Sequence, residues 1–192
     1  MKHTLVNKRL VDFSKPTNLL LNGLPGKYKY IPYLKGGGNH IIKPIEWYVA
    51  WDKETVAFYK TDSKARFQNS NYYFRQGIGV PMVKSKKLKA FLLNKRLFDQ
   101  SIVGIFPKEE KYLYFLLGFL NSSVCSRIIH TINHTANNSA NYLKKIPIIY
   151  KEKESSLIEK ELKNYINEKK QSLIETLRNI DQIVNSLYEG KF

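Results

Sequence analysis

The segment 67–76 places Arg75 and the amides Gln68, Asn69, Asn71 and Gln76 among the rings of Phe67, Tyr72, Tyr73 and Phe74. A guanidinium can pair bidentately with guanine, and a carboxamide with adenine, so this mixture has the chemistry of base recognition in a major groove. Lysines surround it. Lys64 and Arg66 lie upstream, and Lys84, Lys86, Lys87 and Lys89 follow Pro81. Their flexible cationic side chains suit phosphate contact rather than base contact. Arg75 and Gln76 stand just before Gly77, where a glycine lets the backbone approach a ligand closely. With Lys35 and the amides Asn137 and Asn138 reaching in from loops, these residues are the candidate lining of a nucleic-acid cleft.

Two other constellations carry weaker chemistry. Asp99 followed by Glu109-Glu110-Lys111 has the acid, gap, Glu-x-Lys order that can hold a magnesium ion for phosphodiester hydrolysis. The same two glutamates also stand where a helix N-terminus favours acids, so a nuclease is the second reading. His130 and His134 are four apart with Cys125 about a turn earlier, but His134 lies at the edge of a polar loop and no second cysteine or acid completes a zinc set. A buried thiol and a surface histidine are the expectation there. Gly36-Gly37-Gly38 and Gly77-Ile78-Gly79 lack the third glycine and the following helix of a dinucleotide loop, and no P-loop occurs. There is no Asn/Asp-Pro-Pro-aromatic segment of the kind that grips a target adenine.

The charge supports the first reading through its distribution. The 192 residues carry 32 Lys and Arg against 16 Asp and Glu, a formal net of +16. Residues 151–192 hold eight of each sign, so the whole excess lies in 1–150. A merely lysine-rich surface would make the tail basic too. A local positive potential attracts a polyanion. Hydrophobic residues make up 43%, enough for a core, and the single cysteine allows no internal disulfide, which suits a reducing cytoplasm. The longest apolar run, Tyr112 to Leu120, is too short to span a bilayer, and no secretory signal pattern opens the chain.

The elements that must position these residues follow from periodicity. Tyr28–Leu34, Trp47–Trp51, Tyr72–Val80, Lys87–Leu93 and Ser101–Phe106 read as strands, and Thr55–Tyr59 as a possible sixth. Along 67–76, alternate residues are expected to face the core and the DNA. From Glu109 to Ile132 the apolar spacing changes to three and four, giving a helix. Glu154–Tyr188 reads as one long helix, with Leu173, Leu177, Ile180, Val184 and Leu187 forming a seam that must pack on a neighbour. The expected fold is therefore α+β: a twisted, mostly antiparallel sheet with packed helices over residues 1–150, then a long C-terminal helix over 151–192.

The order of motifs adds a resemblance. Tyr33-Leu34-Lys35-Gly36-Gly37, Tyr48-Val49-Ala50-Trp51, Phe74-Arg75-Gln76-Gly77-Ile78, Leu116-Leu117-Gly118-Phe119-Leu120-Asn121-Ser122 and Thr135-Ala136-Asn137-Asn138-Ser139 before Leu143-Lys144-Lys145-Ile146-Pro147 succeed one another. This pattern resembles the TaqI-like C-terminal specificity domain of N6-adenine DNA methyltransferases and fused restriction-modification enzymes, over about residues 28–188. The resemblance implies a non-catalytic target recognition domain that binds duplex DNA beside a methyltransferase domain or subunit. It implies that S-adenosylmethionine belongs to that partner and that this chain holds no cofactor. The chain is then a fragment or a separate specificity subunit. A third reading makes it an assembly module whose charge is incidental.

Overall fold

The computed structural model describes residues 6–14, 18–38, 41–65, 67–168 and 171–191. Arg66, one of the candidate contacts, lies outside the described residues. In chain order the elements are strands β1 (Tyr30–Leu34) and β2 (Trp47–Ala50), helix α1 (Lys53–Thr61), strands β3 (Ile78–Pro81), β4 (Phe91–Leu92), β5 (Leu97–Phe98) and β6 (Ile102–Ile105), and helices α2 (Tyr112–Leu120), α3 (Ser123–Ile132), α4 (Ala140–Leu143), α5 (Glu152–Lys163) and α6 (Leu173–Tyr188).

The fold is α+β. Among the described residues the strands form two small sheets, ordered β2-β1-β5 and β4-β3-β6, rather than one. Three of the four pairings are antiparallel, and β1 with β5 is the parallel one. β3 is central in the second sheet, in register Ile78↔Ile105 to Pro81↔Ile102 with β6. All four of its residues are buried.

Three strand expectations fail locally: Lys87–Leu93 is a strand only at Phe91–Leu92, and the other two fail for identifiable reasons. The run Thr55–Tyr59 is helical, not a strand. Asp52 caps α1, accepting from the Thr55 N–H at 3.0 Å and the Thr55 hydroxyl at 2.7 Å. That cap outweighs the β-type composition of the run. The expected strand Tyr72–Val80 begins only at Ile78. Before it, Ser70–Tyr72 is a 3₁₀ turn, and Asn69 and Phe74 take left-handed backbone angles of 57° and 59°. Side chains in 67–76 therefore do not alternate between core and surface as a strand would make them.

The run Glu109–Ile132 gives two helices, α2 and α3, bent by 70°. The break is at Asn121-Ser122, where the Ser122 hydroxyl caps α3 by accepting from the Cys125 N–H at 3.1 Å. Glu109 and Glu110 lie in the turn ahead of α2, whose first turn carries no acid. No single helix among the described residues is long and apolar enough to cross a membrane.

The expected long terminal helix is also divided. α5 ends in a π-helical turn, Asn164–Glu168, and α6 restarts after Ser172, which accepts from the Glu175 N–H. The two pack side by side and both lie on α2. The main core joins Ile78 and Val80 of β3 to Leu117 and Phe119 of α2, Ile129 of α3, Ile158 of α5 and Ile180 and Val184 of α6. Gly118 makes this approach possible. A Cβ at that position would fall inside the van der Waals envelope of Ile158 and 3.3 Å from Ile180. A second cluster gathers around Trp51 with Ile31, Val56, Phe74 and Leu97.

Candidate nucleic-acid interface

Chain segments distant in sequence meet where β3 ends and β6 begins. The Met82 N–H donates to the Ser101 carbonyl at 2.7 Å, continuing the ladder by one step. Beyond it, Val83 bridges antiparallel to Asn137, and the Lys84 N–H donates to the Ala136 carbonyl at 3.0 Å. The Ser101 hydroxyl accepts from the Gly36 N–H at 2.8 Å, which brings in the glycine turn after β1. Lys43 holds that turn closed, its ammonium donating to the Lys35 carbonyl at 2.5 Å and to the Gly37 carbonyl. Burial lowers the pKa of Lys43.

The segments carrying Lys35, Lys84 and Asn137 of the candidate set meet at this junction, and Lys86 and Lys87 follow in the next turn, against α3. Lys86 and Lys87 are exposed, and Lys89 is half-buried two residues on. The His130 ring nitrogen Nε2 lies 3.1 Å and 3.2 Å from the carbonyl oxygens of Ser85 and Lys86 and pins the lysine turn to α3. The Lys84 ammonium binds the Asn133 carbonyl, so it both carries charge and holds the loop. Lys35 lies over the Trp47 ring, 4.3 Å from its centroid. The described residues form two side-chain ion pairs, Lys111 with Glu109 and Lys163 with Glu159, and neither neutralises the junction.

Asn138 does not face outward. It is 2% exposed, its amide donates to the Pro81 carbonyl at 3.1 Å, and its backbone N–H donates to the Met82 carbonyl. It supports the junction rather than lining it. Asn133 is a residue that sequence reasoning missed. Fully buried, it accepts from the N–H and hydroxyl of Thr135 and donates to the Asn137 carbonyl at 3.0 Å, shaping the polar loop. The clustering of Asn and Thr in 133–138 was its only signal.

Arg75 and Gln76 lie beyond the other end of β3, whose four residues alone span about 10 Å. Arg75 is exposed, with its guanidinium 5.7 Å from the Tyr72 ring centroid. Gly77 is buried, and its missing side chain makes room for Phe106 rather than for a ligand. A Cβ there would fall 2.7 Å from that ring and 2.8 Å from the Ile105 carbonyl. Lys64 lies in an exposed turn after α1, beside the first sheet. The expected single cleft is thus two clusters, a lysine junction and an arginine–tyrosine pair, joined by β3.

The acids of the nuclease reading have local partners. Asp99 accepts from the N–H of Ser101 at 3.0 Å and from its hydroxyl. Glu109 pairs with Lys111 at 3.0 Å on the surface. No group of three or more His, Cys, Asp or Glu side chains among the described residues could hold a metal ion. Cys125 is buried, which pushes its thiol up to about 12, and His134 is exposed in the loop.

No family model matches this chain, and no curated protein is detectably similar to it in sequence.

Proposed function

We propose that this chain reads double-stranded DNA as the specificity module of an adenine-N6 DNA methyltransferase or restriction-modification enzyme. Methyl transfer and S-adenosylmethionine then belong to a partner domain or subunit, and this chain positions the duplex. The observation that carries the reading is the lysine junction. The glycine turn, the post-β3 turn and the polar loop converge there, and the chain's entire net charge of +16 lies in the residues before 151. Lysines at such a junction position a duplex through its phosphates, and in this reading Arg75, beyond the other end of β3, supplies the contact to a base edge.

The test is equilibrium binding of the purified chain to a short duplex across a range of salt concentrations. The logarithm of affinity is expected to fall linearly with the logarithm of salt, by about 0.9 for each phosphate contact. Absence of binding, or binding indifferent to salt, overturns the reading and leaves the assembly module as the better account.

A further inference from the structure

Beside the lysine junction is a groove of about 740 Å³, with Lys64 of the candidate contacts among its lining residues. Its floor is Trp51, buried, with its indole N–H donating to the Leu20 carbonyl at 2.7 Å. Phe67 stacks on it at 5.9 Å and 17°, and Tyr73 meets it edge-on at 6.1 Å. Tyr33, Tyr59, Phe67 and Tyr73 are only half-buried, so each leaves ring surface in the groove. Burial raises the phenol pKa of all three tyrosines, which keeps their hydroxyls neutral.

The polar lining is sparse. Gln68, Asn69 and Gln100 are exposed amides at the mouth, and Lys64 is an exposed cation beside them. Asp99, half-buried, also lines the groove. One of its oxygens accepts from Ser101, and the other makes no hydrogen bond among the described residues. The groove is continuous with the junction. The Asp99 N–H donates to the Leu34 carbonyl at 3.1 Å, and Lys35 lines an adjoining recess with Tyr33, Tyr59 and Asp99.

We propose that this groove takes one unpaired nucleobase of a DNA held at the lysine junction, an inference that rests on the DNA-binding reading. Aromatic faces stack any base, carboxamides pair with base edges, and a carboxylate accepts from an exocyclic amino group. The volume lies in the range of small-ligand pockets. A methylated ammonium is the other ligand that aromatic rings with a carboxylate can hold. The positive surroundings oppose it: Lys64 is at the rim, and Lys60 lies 5.8 Å from the Phe67 ring centroid. Extruding a base costs least where it is already unpaired, so a bulge is the natural probe.

The experiment uses the full chain and two duplexes carrying a fluorescent purine analogue, one with the analogue paired and one with it bulged. The bulged duplex is expected to bind about tenfold tighter, with its fluorescence quenched by stacking. Phe67→Leu should bring the two affinities to near parity without changing that for the paired duplex. Gln68→Ala, at an exposed position that folding does not need, should lose part of the preference. Equal affinities with no quenching, while the paired duplex still binds, overturn the groove assignment alone. Failure to bind either duplex overturns the DNA reading as well. Tighter binding of a trimethyl-lysine peptide than of the bulged duplex would assign the groove to a cation.

Discussion

The side-chain amide of Asn121 pairs with both backbone groups of Ala90, accepting from its N–H and donating to its carbonyl, each at 3.0 Å. It also donates to the Leu117 carbonyl at 2.8 Å, closing the end of α2. Ala90 is buried just before the two-residue strand β4, so the carboxamide does for it what a neighbouring strand would. Asn121→Ala removes these bonds and leaves the polar groups of Ala90 unmet. It should destabilise the chain by about 2–4 kcal/mol in denaturant unfolding. An unchanged midpoint would show that water replaces the amide without loss.

The terminal helix should show a graded response along its seam. Ile180 and Val184 are fully buried, whereas Leu173 and Leu177 are half-buried at the edge of the same face. Thr176, which the seam left out, is fully buried. Ile180→Asp buries a charge with no partner and should cost about 4 kcal/mol, whereas Leu177→Asp should cost about 1–2 kcal/mol. Equal melting temperatures for the two variants would contradict this placement of the helix.

Burial raises the Cys125 thiol from about 9 to about 12. The unfolded chain gives up this proton first as pH rises. The contribution of the group to stability is therefore complete below about pH 9 and is lost as pH climbs towards 12. Cys125→Ala lowers stability through its cavity but removes this slope. Unfolding free energies of parent and variant should converge between about pH 9 and pH 11. Parallel pH profiles would mean that the thiol is not buried.

Much of the fold was legible because its signals are local. β1, β2 and β6 lie where β-branched and aromatic runs end in glycine, proline or charge, and α2, α3 and α6 follow their three-and-four spacing. What could not be read depends on single polar side chains or on distant partners. Asp52 turns a strand-like run into α1, and Ser122 and Ser172 restart helices inside runs that periodicity alone would continue. Arg75 and the lysines look like one patch in sequence because only eight residues separate Arg75 from Lys84. An extended buried strand between them sets them apart. The aromatic groove was the least accessible, because Tyr33, Trp51, Tyr59, Phe67 and Tyr73 converge only after β1 pairs with β2 and β5.

The two clusters should fail differently when tested on DNA. Lys86 and Lys87 are exposed and use only their backbones to brace the turn, Lys86 against His130 and Lys87 against the Ser85 hydroxyl. Replacing both with alanine should leave the fold intact, weaken binding to every sequence, and lower the salt slope by about one unit per lost phosphate contact. Lys84→Ala should do the same and also loosen the loop, because its ammonium holds the Asn133 carbonyl. Arg75 lies at the far end of β3, beside Tyr72, without a lysine within two residues on either side. Its loss should cost about 1–3 kcal/mol on the preferred sequence and relax preference at one base position. Binding curves on specific and scrambled duplexes, with phosphate-ethylation interference to locate the contacts, measure both effects. If Arg75→Ala lowers the salt slope as the lysine variants do, with no change in sequence preference, then it too is a phosphate contact and base reading must come from elsewhere in the chain.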